Sequence, residues 1–163
     1  MPGDLDEAHA LHRAVLAEGT AFITTVEELD ALGGVAYRRL VFEEIRRTAG
    51  AAMWVARHGG RLVGWLSVRP GPLAQMRHCG KIEVMVAADA RGRGVGTALL
   101  AACVAWAEQE PSLTKLGLAV FDDNQRALGL YRRFGFVQEG HRPDEYRSAD
   151  GRYRGDYLMG RRV

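Results

Sequence analysis

The sequence predicts one mixed α/β domain, residues 1–163, built around a single sheet. Its 163 residues, of which 47% are apolar and 26% charged, suffice for one domain with a core of its own. The chain opens with two helical patterns, continues as a strand meander, and then alternates strand and helix before a closing hairpin. Elements in this order, with no repeat, linker or low-complexity tract between them, favour helices packed on one sheet.

The first 50 residues carry helical patterns. Apolar residues recur at helical spacing from Asp4 to Glu18, and Asp4 is placed to cap the N-terminus of that helix. The same spacing runs from Glu27 to Thr48, where we expect Gly33-Gly34 to divide it into two helices.

Beyond residue 50 the apolar period becomes that of strands. The runs Ala52–Arg57 and Leu62–Val68 flank Gly59-Gly60, and two glycines permit positive φ, so the three together predict a β-hairpin. Lys81–Ala88, a run rich in Val and Ile, predicts a third strand, and Lys115–Phe121 predicts a fourth.

Two more helices and a terminal hairpin complete the domain. They are expected at Gly94–Gln109 and Asn124–Phe134, with the hairpin strands at Phe136–Tyr146 and Tyr153–Met159. Pro111 stops the first of these helices, because proline cannot continue a helical hydrogen-bond ladder.

The composition of the chain argues against nucleic acid and membranes as binding partners. The net charge is +2, which gives no general attraction to nucleic acid, and no apolar run approaches the roughly 18 residues needed to span a membrane. The N-terminus has no signal-peptide pattern, so we expect a cytoplasmic protein without nucleic-acid or membrane partners. Cys79 and Cys103 lack metal-type spacing and are expected to be buried free thiols.

A turn rich in glycine and arginine, Arg91-Gly92-Arg93-Gly94-Val95-Gly96, lies between a predicted strand and a predicted helix. The first turn of a helix has free N–H groups and the positive end of the helix dipole, which together bind phosphate. Glycines let a pyrophosphate approach the backbone closely, and the two arginines can add charge-assisted hydrogen bonds. The turn therefore predicts a diphosphate site.

The spacing of the glycines narrows the choice of motif. Glycines at 92, 94 and 96 do not fit the dinucleotide fingerprint G-x-G-x-x-G, and no lysine follows as a Walker motif requires. The pattern [RQ]-x-x-G-x-[GA] is matched by Arg91, Gly94 and Gly96. On these six residues alone, a tight strand-to-helix turn without a ligand remains an alternative.

Longer stretches carry a family resemblance. The segment IEVMVAADARGRGVGTALL resembles the signature of the GNAT superfamily of acyl-CoA N-acyltransferases, and FDDNQRALGLYRRFGFVQEG resembles its next motif. The segment GRYRGDYLMGRR is similar to the last strand of a bacterial subgroup of amino-acid and small-molecule N-acetyltransferases. The resemblance covers about residues 51–162.

The resemblance implies a mostly antiparallel sheet that splays open between two parallel strands, Lys81–Ala88 and Lys115–Phe121, with acetyl-CoA in the wedge. The pantetheine arm would pair with the backbone near Val84 and Val86. The pyrophosphate would bind the N–H groups of Arg91, Gly92, Arg93, Gly94, Val95, Gly96 and Thr97. No metal and no covalent protein intermediate is required.

Family members begin with a strand ahead of the first helix, whereas this sequence starts at Met1-Pro2-Gly3-Asp4, already at the expected helix cap, so either the strand is absent or the recorded start is late. Its loss would leave Ala52–Arg57 as an unpaired sheet edge, and unpaired edges invite association with another chain. A homodimer formed through that edge is therefore a hypothesis.

Three residues are candidates for the chemistry. Tyr131 resembles the family's general acid, which protonates the CoA thiolate; packing on a helix is the alternative. Asn124 resembles a residue that contacts the pantetheine arm or a bound water, and it also suits a helix N-cap. Glu83 is the candidate general base, needed because a free alkylamine with a pKa of roughly 10 is mostly protonated at neutral pH; pairing with an arginine is the alternative.

Other polar and aromatic residues are given structural roles. His9 and His12 share a helix face without a third zinc ligand and are expected at the surface, like Glu43 and Glu44. Arg132 and Arg133 either reach the CoA phosphates or are solvated. Three tryptophans are expected to pack in the core or a groove: Trp54, Trp65 and Trp106. Phe22 and Tyr37 are expected to line the acceptor pocket.

The function predicted from the resemblance is transfer of an acetyl group from acetyl-CoA to the primary amine of a small molecule, by direct attack in a ternary complex. Acetylation of a protein N-terminus or lysine is an alternative. A CoA-binding sensor without catalysis is another, although the intact motif around Tyr131 favours an enzyme.

Overall fold

The computed structural model describes residues 2–19, 24–148 and 150–163. Within them the elements are, in chain order, α1 (Pro2–Ala17), α2 (Val26–Ala31), α3 (Gly34–Arg47), β1 (Ala52–His58), β2 (Arg61–Pro70), β3 (Cys79–Val86), α4 (Val95–Ala107), β4 (Lys115–Phe121), α5 (Gln125–Arg133), β5 (Val137–Arg147) and β6 (Tyr153–Arg162). Two short 3₁₀ turns, Ala74–Met76 and Ala88–Ala90, precede and follow β3. The sequence pattern did not predict either of them.

The six strands form one sheet in the order β1-β2-β3-β4-β6-β5. Neighbours are antiparallel except β3 and β4, which are parallel, so the predicted central parallel pair is confirmed. The third strand begins at Cys79, two residues before the predicted start, and ends at Val86. Its predicted last residue, Ala88, belongs instead to a 3₁₀ turn.

The sheet splays between β3 and β4, as expected. Only residues 79–81 of β3 pair with β4, at residues 115–117. No further pairing between the two strands follows in the described residues. On its other side β3 stays paired with β2 up to the partners Val86 and Gly64. The segment from Ile82 to Val86 therefore has one edge in the sheet and one edge open to a wedge.

Each face of the sheet carries its own core. Helices α4 and α5 cover one face, where the largest buried residues include Leu66, Leu100, Leu116 and Leu128. Helix α1 covers part of the other face around Trp65 and Met85. The other buried residues of this second core are Ala8, Leu11, Val15, Leu62, Val63, Ala87 and Ala90. Because β2 is buried on both faces, it has the continuous apolar run of a central strand.

Two expectations for the first helix are wrong. Helix α1 begins at Pro2, so Asp4 lies in its first turn and not at the cap, and the Asp4 carboxylate accepts a hydrogen bond from Arg57. His9 and His12 are buried and not at the surface. The second error arises because helical spacing shows which residues share a face, and not which element packs on that face.

Strand β1 forms one edge of the sheet, and no strand precedes α1 in the described part of the chain. Val55 on β1 is exposed. Dimer formation through this edge stays a prediction. Cys79 and Cys103 are both buried and free, as expected.

Candidate active site

The open edge of β3 presents backbone groups to the wedge. The Ala87 N–H donates to the Val63 carbonyl across the pair with β2, at 2.9 Å. Hydrogen-bonding direction alternates along a strand, so the N–H and carbonyl of Val84 and Val86 point away from β2 and into the wedge. The structure thus gives these two residues the orientation that pairing with an extended ligand requires.

The glycine turn ends where α4 begins. Gly92 and Gly94 adopt φ of +79° and +83°, in the left-handed region that favours glycine. The first helical hydrogen bond runs from the Ala98 N–H to the Gly94 carbonyl, at 2.9 Å. In the parts of the chain that are described, no N–H from residue 92 to residue 97 donates to a protein acceptor. Six donors therefore surround the positive end of the α4 dipole.

The two glycines nearest the helix serve different purposes. A Cβ on Gly94 would meet no atom within 4 Å, so this position is open to solvent and needs glycine for its backbone conformation. A Cβ on Gly96 would lie 3.3 Å from Leu130 Cδ2 and 3.9 Å from Val86 Cγ2, so its lack of a side chain lets α4 approach α5 and β3. Arg93 and Thr97 are exposed beside this opening.

The Arg91 side chain turns away from the opening. Its Nη1 and Nη2 donate to the two carboxylate oxygens of Glu18, at 2.6 and 2.9 Å, and its Nε donates to the Val86 carbonyl at 3.1 Å. All three guanidinium nitrogens are thus engaged with α1 and β3. The sequence predicted direct charge-assisted contact with a phosphate, whereas the structure shows a link between the turn and two other elements.

Tyr131 lies on α5, which Asn124 caps by accepting a hydrogen bond from the Ala127 N–H at 3.1 Å. The Tyr131 ring is buried and packs at a tilt on Phe136, with 5.9 Å between ring centroids. Its hydroxyl has no protein hydrogen-bond partner among the described residues. Burial raises the pKa of Tyr131 to about 12, so the phenol keeps its proton at neutral pH and can donate it.

The side chains of Glu83 and Val84 lie on opposite faces of β3, because successive side chains alternate along a strand. The strand partner of Glu83 on β2 is Ser67. Glu83 Oε2 stands 3.9 Å from Arg69 Nη2, and the Glu83 side chain keeps 32% of its surface exposed. Burial raises the pKa of Glu83, and the charges of Arg69 and Arg38 partly offset that rise. A carboxylate with a raised pKa is a stronger base than an ordinary glutamate and can still be reached from solvent.

The sequence analysis missed a buried arginine near Glu83. Arg38 on α3 is 7% exposed, its guanidinium lies 5.1 Å from the centroid of the Trp65 ring, and its Nη2 is hydrogen-bonded to His12 Nδ1. Desolvation lowers the pKa of Arg38. A signal was present, because Arg38 stands seven residues before the buried Ile45, and that spacing places both on one helix face.

The remaining predicted residues are less central. Tyr37 is half-buried beside Gly33, and Phe22 lies outside the described residues. Arg132 and Arg133 are exposed. Trp65 is fully buried, as predicted, and Trp54 packs edge-on against Trp106: their ring centroids are 5.3 Å apart. Within the described ranges, no group of three or more His, Cys, Asp or Glu side chains could hold a metal ion, and no helix is long and apolar enough to cross a membrane.

Comparison with known proteins adds independent information. Residues 22–136 match the model of the acetyltransferase (GNAT) family. The chain is 27% identical over 119 residues to an L-amino acid N-acetyltransferase of Escherichia coli K12, and the match spans 73% of each protein.

Solved structures share the whole fold. An acetyltransferase of the GNAT family from Streptococcus pneumoniae matches with a TM-score of 0.91 at 23% identity, over 99% of this chain and 95% of that one. A ribosomal-protein-alanine N-acetyltransferase from Brucella melitensis matches with 0.87 at 25% identity, over 100% and 96%. A phosphinothricin acetyltransferase from Sinorhizobium meliloti, in complex with AcCoA, matches with 0.88 at 20% identity, over 100% and 85%.

Proposed function

The chain belongs to the acetyltransferase (GNAT) family, and we propose that it transfers the acetyl group of acetyl-CoA to the primary amine of a small molecule. The observation that carries this proposal is the open wedge between β3 and β4. It runs from their last paired residues, Lys81 and Gly117, to the N-terminus of α4 with its six free N–H groups. A wedge of this kind accepts an extended ligand with a diphosphate at one end. Acetyl-CoA has that shape and that charge.

Different backbone groups suit the pyrophosphate and the pantetheine arm of acetyl-CoA. The free N–H groups from residue 92 to residue 97 suit the pyrophosphate, because they stand at the positive end of the α4 dipole. The wedge-facing N–H and carbonyl of Val84 and the N–H of Val86 suit the amides of the pantetheine arm, which can pair with them as an added strand would. The Val86 carbonyl accepts a hydrogen bond from Arg91. Arg91 would act through the shape of the turn, since its guanidinium is held by Glu18.

Two side chains would handle the protons. Glu83 would take a proton from the acceptor ammonium, directly or through water, so that the free amine can attack the thioester carbonyl. Tyr131 would donate its proton to the sulfur as the carbon–sulfur bond breaks, and its raised pKa keeps that proton in place at neutral pH until then. The two residues stand on opposite sides of β3, which matches an amine arriving from one side and a thiolate leaving on the other.

A second acceptor class is supported by one specific similarity. The ribosomal-protein-alanine N-acetyltransferase from Brucella melitensis shares 25% identity with this chain over its full length. An N-terminal alanine is also a primary amine, and Glu83 remains accessible enough to meet one. Small molecules are favoured because α1 and α3 pack over the sheet face that carries Glu83, which narrows the approach.

Thiol release from acetyl-CoA tests the proposal. The intact protein is incubated with acetyl-CoA and, separately, with amino acids, polyamines, aminoglycosides, phosphinothricin and peptides that begin with alanine. Release of CoA with a small amine supports the proposal, and release with the peptides alone would replace it by protein acetylation. A thermal shift with acetyl-CoA but no release with any amine would leave a CoA-binding sensor. If acetyl-CoA causes no thermal shift and no amine releases CoA, the assignment of the wedge as an acetyl-CoA site is refuted.

A further inference from the structure

Lys81 stands at the apex of the wedge. Its pairing with Gly117 is the last between β3 and β4 before the two strands separate. Its Nζ lies 3.2 Å from the position that a Cβ on Gly117 would take, so the lysine side chain crosses β4 at a residue that has no side chain. Lys81 is exposed at this point of the sheet.

The Lys81 side chain has a basic neighbour and no acidic partner among the described residues. Lys81 is directly opposite Arg69 on β2, and like charges at directly opposed positions repel. In the described residues no carboxylate forms an ion pair with Lys81, since Arg69 is the group that faces Glu83. Acetylation of Lys81 would remove its charge and with it that repulsion.

Lys81 is also chemically unusual for this chain. Lysine occurs only at positions 81 and 115, against 20 arginines (22 basic residues less two lysines). A guanidinium stays protonated and is no nucleophile, whereas a lysine amine can lose its proton and attack a carbonyl. Lys115 is held by Glu139, with 2.6 Å between Nζ and Oε2. Lys81 is thus the one side-chain amine that the described structure places unpaired beside the wedge.

The expected path of the cofactor leads toward this amine. From the glycine turn it would run along β3 past Val86 and then Val84, with the thioester end nearest the apex. Lys81 lies three positions before Val84, or about 10 Å along a strand. The terminal part of the pantetheine arm and the lysine side chain are both flexible and can close that distance between them.

We infer that Lys81 is a self-acetylation site, modified by acetyl-CoA bound in the wedge when no acceptor occupies it; this rests on the proposed function. The Lys81 ammonium loses a proton to solvent through Glu83, and its nitrogen forms a bond to the thioester carbonyl carbon. The adduct's nitrogen gives its second proton to solvent as the carbon–sulfur bond breaks, and the thiolate takes a proton from Tyr131, which regains one from solvent. The products are acetyl-lysine, free CoA and one released proton.

Peptide mass spectrometry tests the inference on the full protein. With acetyl-CoA and no amine, we expect Lys81 to gain an acetyl group at least about tenfold faster than Lys115, because binding turns its reaction into an effectively unimolecular one. Lys115 is the internal control for direct chemical acetylation. The Gly94→Ala variant, with its altered turn, should lose the excess rate at Lys81 and keep the slow rate at Lys115.

Equal rates at the two lysines would overturn the inference, as would an excess at Lys81 that persists in Gly94→Ala. The Lys81→Arg variant keeps the positive charge and should incorporate no acetyl group at position 81, while it still shows the thermal shift with acetyl-CoA. If Lys81 is unmodified but amines release CoA, the self-acetylation fails and the proposed function stands. If acetyl-CoA gives neither shift nor release, the proposed function fails with it.

Discussion

Arg91 clasps Glu18 with two parallel hydrogen bonds, of 2.6 and 2.9 Å, across 73 residues of sequence. Glu18 follows the end of α1, and Arg91 opens the glycine turn, so this pair ties the first helix to the proposed pyrophosphate site. The same guanidinium binds the Val86 carbonyl on β3. Three elements thus meet at one side chain, and the backbone of the turn is fixed before any ligand arrives.

Loss of this clasp should weaken cofactor binding. In Glu18→Gln only the amide oxygen can still accept from the guanidinium, so one of the two bonds and the ion pair are lost, and we expect the KM for acetyl-CoA to rise about fivefold, or about 1 kcal/mol, with kcat little changed. The matched control is Asp150→Asn, which removes an ion pair to Arg152 in the exposed terminal hairpin. Steady-state kinetics of both variants decides the matter, and equal KM values in the two would contradict a role for the clasp.

Tyr131→Phe should lower turnover and not cofactor affinity. The ring packing on Phe136 is retained, so the loss is that of a proton donor, and we expect kcat to fall about 10²-fold with the KM for acetyl-CoA within about twofold. Because the pKa of Tyr131 is raised to about 12, the wild-type rate should show no decline from ionisation of this phenol between neutral pH and pH values near 10.

The control for Tyr131 is Tyr153→Phe, which alters a tyrosine that is 61% exposed on β6. It should leave kcat unchanged. Normal turnover in Tyr131→Phe would instead mean that solvent protonates the thiolate and that Tyr131 serves only to pack α5.

Glu83→Gln should lose activity and gain stability at neutral pH. The folded-state pKa of Glu83 lies above its ordinary value of 4.5, so the native state holds this proton more tightly than the unfolded chain does. The contribution of Glu83 to stability is then fully present below the unfolded pKa and is lost as pH rises through the folded pKa. Above its unfolded pKa the carboxyl therefore lowers the stability of the folded state, and glutamine, which cannot ionise, removes that cost.

The stability gain of Glu83→Gln should appear as a higher Tm than wild type at pH 7, and the two curves should converge well below pH 4.5. Activity should fall about 10²-fold, as for loss of a general base. Glu44→Gln, on the exposed face of α3, is the control for removing a carboxylate. A lower Tm at pH 7 with full activity would show Glu83 to be the ion-pair partner of Arg69 and nothing more.

Local patterns predicted most of the fold. The hairpin turn at Gly59-Gly60, the strand Lys115–Phe121 and the cap at Asn124 are each specified by a few adjacent residues, and each appears where expected. The central splay followed from the family resemblance. Its physical basis, pairing that stops at Lys81 and Gly117, has no signature in either strand alone.

Contacts between distant segments could not be predicted. The partner of Arg91 is 73 positions away, and the partner of Arg38 is a histidine that the sequence analysis expected at the surface. In both cases the sequence shows a charged residue near an apolar pattern, and only the packing of α1 against the sheet and α3 decides what it meets. The direction in which Arg91 points was therefore open, although its position in the turn was not.

Gly94→Ala should separate backbone strain from the loss of a ligand site. Alanine at φ of +83° is strained by about 1–2 kcal/mol, and its Cβ would enter the open space before the α4 N-terminus, where the pyrophosphate is expected. The control is Gly59→Ala in the β1–β2 hairpin, at φ of +56°, where a Cβ likewise meets no atom within 4 Å. Both variants should lose a similar few degrees of Tm.

Only Gly94→Ala should lose affinity for acetyl-CoA, by about tenfold or more, because only there does the added methyl group stand between the ligand and the free N–H groups. Calorimetric titration with acetyl-CoA measures this directly. If both variants bind as wild type does, the turn is a structural connection between β3 and α4. If both lose affinity equally, strain transmitted through the fold is the cause, and the open space at Gly94 is no phosphate site.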